Sequence, residues 1–269
     1  MLLAIDIGNS TVAWGVFQGP ALKGHWRVAT DPSKTSDDYG LVVVNLLRDA
    51  GIQPDVVSGV ILSSVVPALT SAFERMAEAY FHRLPLIVSS DLDTGLSLRT
   101  TNPRELGSDR LASAAAAYAR YQTALIIVDL GTATTFGAVT QAGDYLGGAI
   151  APGLGIAAEA LFSHTAQLPR VDMIRPKSVI GRDTVSSIQS GLIFGYAGLV
   201  DGIVSRMLAE LGGRARVLAT GGWASVVCPE SRTIQEIRPL LVLEGLAWLY
   251  RRARGDAETM TPDTDPPTV

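Results

Sequence analysis

The chain carries one small pattern twice. "AIDIGNSTVAWGVF" runs from Ala4 to Phe17, and "IVDLGTATTFGAV" runs from Ile127 to Val139. In each, an apolar strand reaches an aspartate, passes through glycine and small hydroxyl residues, and leaves as a second apolar strand. Asp6 aligns with Asp129 and Gly8 with Gly131. A chain of 269 residues can form two modest domains, and a repeated hairpin favours two over one. Glycine at such a turn lets backbone N–H groups converge on a phosphate. Ser10, Thr11, Thr132 and Thr134 can add hydroxyl donors. An aspartate at the end of the preceding strand can hold a cation that neutralises the same phosphates. Either turn alone reads as ordinary Asp-x-Gly or Asn-Ser turn chemistry. The matched pair points to a triphosphate gripped from both sides.

Around the hairpins, periodicity predicts an α/β order. "SKTSDDYGLVVVNLLRDAG" reads as a helix capped at Ser36 or Asp37 and ended by Gly51. "DVVSGVILSSVVP" is a buried strand stopped at Pro67, "ALTSAFERMAEAYFH" the next helix and "LPLIVS" the next strand. Strand, helix, strand, helix and strand in this order give a mixed sheet. The Ala-rich "DRLASAAAAYARYQ" reads as a helix linking the halves. After it the strands restart, helices follow from about Gly155, "ARVLATGG" is a late strand and "PLLVLEGLAWLYRRA" a closing helix. The expected domains are 1–115 and 116–255. Residues 256–269, polar and Pro-rich without apolar period, are expected to be disordered.

Composition narrows the function classes. The net charge of −4 argues against a nucleic-acid binder, which needs a basic face. The "RRAR" run, Arg251 to Arg254, fits the C-terminal end of a helix. Cys228 is the sole cysteine, so an intramolecular disulfide is impossible and a reducing compartment fits. The start "MLLAIDIG" lacks the make-up of a signal peptide, and apolar runs are broken by Ser, Gly and Pro. A soluble cytoplasmic protein with no membrane partner is expected.

Rival motifs are weak. No G-x-x-x-x-G-K-[ST] occurs. "GLGIAA", Gly153 to Ala158, fits G-x-G-x-x-A but follows "APG" rather than an expected strand end. His25, His82 and His164 are scattered without metal-ligand spacing, and Cys228 has no nearby base. "NPRELGSDR", Asn102 to Arg110, is more informative: Pro103 can open a helical turn and Gly107 loosens the chain before Asp109 and Arg110. An aspartate there can simply cap a helix. Its place between two phosphate turns favours a substrate site.

Seven motifs in order, "DIGNSTVA", "SSVVP", "NPRELGSDR", "VDLGTATT", "GGAIAPGL", "IGRDTVSSIQSG" and "TGG", make the chain resemble the type III pantothenate kinases. These belong to the acetate and sugar kinase/Hsp70/actin superfamily, and the likeness runs from Leu2 to about Ala253. It implies two duplicated ribonuclease H-like domains, one hairpin in each. It implies ATP-dependent phosphorylation of pantothenate to 4′-phosphopantothenate, the entry into coenzyme A synthesis. By resemblance Asp6, Ile7, Gly8, Asn9, Ser10, Thr11, Val12 and Ala13 form the first phosphate loop, with Asp6 near Mg²⁺. Thr132 would meet ATP from the second loop, and Gly221 and Gly222 would lie near the adenosine. Asp129 resembles the family's ligand for a monovalent cation, K⁺ or NH₄⁺. Gly107, Ser108, Asp109 and Arg110 match the pantothenate-binding stretch, with Asp109 as base, and Thr184 a second contact. A homodimer with pantothenate at the subunit interface is implied too.

Two positions depart from the family. Thr100 stands where a tyrosine often precedes the Asn-Pro, leaving that substrate wall in question. Gly137 stands where relatives are often acidic. Two rival functions are weighed against the kinase: a non-catalytic nucleotide-binding accessory factor of transcriptional regulation, and a superfamily kinase for another small hydroxyl substrate. Intact "GSDR" counts against the first; the family match alone counts against the second.

Overall fold

The structure, a computed structural model, describes residues 1–256. The first half runs β1 (Leu2–Ile7), β2 (Thr11–Gln18), β3 (Ala21–Ala29), α1 (Ser36–Asp49), β4 (Gly59–Ser64), α2 (Pro67–Phe81), β5 (Leu86–Ile87), β6 (Ser97–Leu98) and α3 (Ser108–Tyr121). The second runs β7 (Leu125–Leu130), β8 (Ala133–Val139), β9 (Asp144–Pro152), α4 (Leu154–Ser163), α5 (Thr184–Glu210), β10 (Arg216–Thr220), α6 (Ala224–Val227), β11 (Glu236–Ile237) and α7 (Leu241–Ala253).

The two sheets answer the repeat. One has the order β3-β2-β1-β4-β5, the other β11-β10-β7-β8-β9-β6. Read from its far edge and without β6, the second repeats the first strand for strand. Each opens with an antiparallel hairpin, β1 with β2 and β7 with β8. Each then places a parallel strand beside the first, β4 on β1 and β10 on β7. β1 and β7 are central and buried on both faces, which is why "LLAIDI" and "LIIVDL" read as nearly continuous apolar runs.

Contacts divide the chain into two compact units. Unit 1 holds Met1–Leu96, Thr101–Tyr121 and the segment beginning at Leu241; unit 2 holds Ser97–Thr100 and Gln122–Leu240. This differs from a cut at 115 in three ways: α3 stays whole in unit 1, residues 97–100 serve unit 2, and α7 returns to unit 1. The cause of the last is visible in packing. A Cβ on Gly245 of α7 would overlap the backbone of Ala112 in α3, and one on Gly15 of β2 would come within 3.3 Å of Leu243. The Ala-rich sequence of α3 makes a close helix pair rather than a linker. The expected disordered tail lies, from residue 257 on, outside the described residues.

In unit 1, alternation along β1 sends Leu3, Ile5 and Ile7 into a core with Trp14, Tyr39, Phe73 and Met76, under α1 and α2. Leu2, Ala4 and Asp6 therefore face the other side, toward α3 and α7. Helix α1 is capped by Thr35, one residue before the expected Ser36, through a reciprocal bond pair with Asp38. His82 ends α2 in the left-handed region. Arg251 and Arg252 occupy the last turn of α7, where Arg252 pairs with Asp93 at 2.9 Å.

In unit 2, α5 lays Ile188, Leu192, Tyr196, Val200 and Val204 over Val128, Leu130, Phe136 and Val217. Among the described residues α5 is the one helix long and apolar enough to cross a membrane, yet this face belongs to the core. β9 does run directly to Gly153, contrary to the reading of "APG", but α4 leads into α5 and not into a parallel strand. The arrangement is no βαβ dinucleotide unit.

Candidate active site

In unit 1 the first turn closes with the Gly8 N–H donating to Thr11 O at 3.0 Å. Thr30, just past β3, braces it: its hydroxyl donates to Gly8 O at 2.7 Å and its N–H to Ser10 O at 3.0 Å. Asp6 pairs in register with Ser63 on the parallel strand β4. Ser63, fully buried, donates to Asp6 Oδ1 at 2.8 Å, and its Oγ lies 2.9 Å from Ser108 Oγ. Ser108 in turn accepts from the Ser64 N–H at 3.0 Å. The end of β1, before the first hairpin turn, and the first turn of α3 are thus tied together by side chains.

Asp109 follows at once on α3. Its Oδ1 accepts from the Arg110 N–H at 2.7 Å, so the carboxylate folds back over the helix start. A Cβ on Gly107 would meet that oxygen at 2.5 Å, which explains glycine at this position. Burial pushes the Asp109 carboxyl above the usual carboxylate range, against the opposing pull of the Arg110 N–H and guanidinium. A carboxylate with raised affinity for protons suits a general base.

In unit 2 the second turn is one residue shorter, closed by the Gly131 N–H on Ala133 O at 3.1 Å. Asp129 pairs in register with Thr220, the end of β10. Gly221, at φ 94°, has no room for a Cβ, which would overlap the Asp129 carboxylate and the Leu130 backbone. A Cβ on Gly153 would likewise overlap the Gly131 and Thr132 carbonyls. Tyr196 of α5 holds that segment by donating to Pro152 O and Gly153 O, both at 3.0 Å. Asp129, Gly131, Thr132 and Gly221 therefore gather at one end of the second sheet.

Thr184 opens α5 behind the cap Asp183, which accepts from Ser186 N at 2.7 Å. It lines a cavity of about 670 Å³ with Leu161, Leu168, Arg182, Ile188 and Gly191. Gly191, Gly195 and Gly198 lie exposed along α5, with open space around each, whereas Ala197 is in the core.

The family model for type III pantothenate kinase matches residues 2–206. The type III pantothenate kinase of Geobacter sulfurreducens is 51% identical over 254 residues, covering 94% of this chain and all of that protein. The chain belongs to the type III pantothenate kinase family. Among solved structures, a Campylobacter jejuni Baf family protein described as a transcriptional activator aligns with TM-score 0.61 at 17% identity, covering 94% of this chain and 99% of that one. A polyphosphate/ATP-glucomannokinase from an Arthrobacter strain aligns with TM-score 0.50 at 18% identity, over 95% and 99%. Both likenesses concern the fold, two α/β halves with mixed sheets flanked by helices as the repeat implied.

Both departures from the family now have surroundings. Gly137 faces the Tyr145 side chain, and a Cβ there would stand 3.1 Å from its hydroxyl. Tyr145 fills the space that an acidic side chain at 137 would enter. Thr100 belongs to unit 2, with its methyl 3.8 Å from where a Gly147 Cβ would be. Gly107 to Arg110 belong to unit 1. Thr30, Tyr196 and Ser63 carry the turns; Ser63 opens the "SSVVP" motif, but neither composition nor spacing gave it or the other two a role. Among the described residues no three His, Cys, Asp or Glu side chains cluster as a metal site. Cys228 is buried and its thiol is pushed up to about 12, as an apolar filler would be.

Proposed function

We propose that this protein transfers the γ-phosphoryl group of ATP to the primary hydroxyl of pantothenate, giving 4′-phosphopantothenate. The observation that carries the reading is the link, within one unit, between the Asp6 turn and Asp109 through Ser63 and Ser108, in a chain of this kinase family. Phosphoryl transfer asks a protein mainly for positioning and neutralisation of charge. Backbone N–H groups of the stretch from Gly8 to Ala13 hold phosphate oxygens, with Thr132 adding a contact from the second turn. Gly221 and Gly222 let the adenosine approach closely. Asp109 accepts the proton of the attacking hydroxyl, and Arg110, Ser108, Thr184 and Thr100 hold the polar body of pantothenate. Mg²⁺, when bound with ATP, neutralises the phosphate oxygens. The residues fit it: Asp6 offers an oriented carboxylate at a strand end, and magnesium commonly takes one or two carboxylates with phosphates and water.

Asp129, the second acidic strand end, is assigned to a monovalent cation, K⁺ or NH₄⁺. The protein works as a cytoplasmic homodimer, with the pantothenate site at the subunit interface. Support comes from the open glycine face of α5 and from exposed Ile174, Val179, Ile180 and Val185 near its start. The transcriptional reading has only a fold likeness behind it.

The test is release of ADP with and without pantothenate, with the product weighed by mass spectrometry. Pantothenate-dependent ADP and a product heavier by one phosphoryl group are expected. ADP release indifferent to pantothenate, or requiring a sugar instead, overturns the reading.

A further inference from the structure

Ser63 has a place in the site that its motif does not explain. Parallel register sets Asp6 beside Ser63, and alternation points both toward α3. The serine is buried without exposure and Ser108 nearly so. Ser63 has one hydroxyl proton, and the strongest acceptor within reach is the Asp6 carboxylate at 2.8 Å. Toward Ser108, 2.9 Å away, Ser63 must then accept. Ser63 thus aims the positive end of its hydroxyl at the Asp6 carboxylate, while the single proton of Ser108 is shared between Ser63 Oγ and Ser64 O, 3.2 Å away. Ser108 is itself fixed by the Ser64 N–H, so the chain is anchored in the β4 backbone.

We propose that Ser63 is a positioning residue that fixes the Asp6 carboxylate and sets its orientation from the first turn of the helix carrying Asp109. It rests on the nucleotide-binding part of the reading above. Without Ser63 the carboxylate loses a buried donor and turns more freely. Its share in holding a magnesium–nucleotide complex falls, whereas contacts of the bare nucleotide with the turn backbone do not.

The experiment measures calorimetric affinity for a non-hydrolysable ATP analogue with Mg²⁺ and with EDTA, without pantothenate, in the full chain. Ser63→Ala is expected to weaken the Mg²⁺ complex about tenfold, in keeping with loss of a hydrogen bond to a charged group, and to leave the EDTA value unchanged. Ser63→Thr keeps the hydroxyl while crowding a buried site. It is expected to melt earlier yet recover the Mg²⁺ preference. A Ser63→Ala protein that keeps the full preference overturns the role while the kinase reading stands. So does a Ser63→Thr protein that loses the preference like Ser63→Ala. A wild-type chain with no Mg²⁺-dependent nucleotide binding overturns both.

Discussion

At the residue scale, Asp109 is where stability and chemistry pull apart. Its carboxyl is held above the ordinary range by burial, so the folded chain binds this proton more readily than the unfolded chain does. The resulting stabilisation is present at low pH and is lost as pH rises through the folded value. Above that value, the ionised Asp109 opposes folding. Asp109→Asn is therefore expected to melt no lower than wild type at pH 7 while losing about 10²–10⁴-fold in kcat, the usual range for a missing general base. The acid limb of the kcat profile should also lie above the normal carboxylate value and vanish in the variant. A variant with near wild-type kcat removes Asp109 from the role of base. For Asp129 the proposed ion is a monovalent cation. Wild-type activity is expected to fall when K⁺ is replaced by Na⁺ at constant ionic strength, and Asp129→Ala should abolish that difference. Equal wild-type rates in K⁺, Na⁺ and a bulky organic cation would give Asp129 another job.

At the scale of elements, glycines in two helices test how packing overrides propensity. Glycine to alanine in a helix interior ordinarily gains up to about 1 kcal/mol. At Gly202 of α5 the new Cβ would meet only the Arg206 guanidinium, which donates to Gly202 O, at an ordinary contact distance of 3.4 Å, so Gly202→Ala is expected to raise the melting temperature. At Gly245 of α7 it would strike the Ala112 backbone, which cannot rotate away. Overpacking there costs about 1–3 kcal/mol, so Gly245→Ala is expected to melt earlier despite better propensity. Equal gains at both sites would mean that α3 and α7 are not in close contact. This pair also marks a limit of what the sequence discloses. The hairpins, helices and buried central strands were legible because apolar periodicity and Asp-x-Gly turns are local. The return of α7 to unit 1 was not, because a contact between Gly245 and Ala112 leaves no local trace. The site divides in the same way. "GSDR" and the two turns could be read from residue type, but Ser63 became meaningful only when strand register set it beside Asp6. Tyr196 reads as one more core aromatic until its hydroxyl is seen on Pro152 and Gly153.

At the scale of the whole molecule the question is whether one chain makes a complete pantothenate site. Gly191, Gly195 and Gly198 of α5 face open space, and Thr184 lines a cavity with Gly191. A second copy of the chain would cover both, in keeping with the shared site proposed above. The reading can be tested by mixing an Asp109→Asn chain with a Thr184→Arg chain after joint refolding. Each alone is expected to be nearly inactive. In a two-fold dimer with shared sites, a mixed pair carries one doubly damaged site and one intact site. Random pairing makes about half the dimers mixed, so activity should return to roughly a quarter of wild type. If Thr184 serves only its own chain, every site in the mixture keeps a lesion and no activity returns. Native mass spectrometry separates that result from a failure to exchange subunits. Mixed dimers without recovered activity would place the whole pantothenate pocket within one chain.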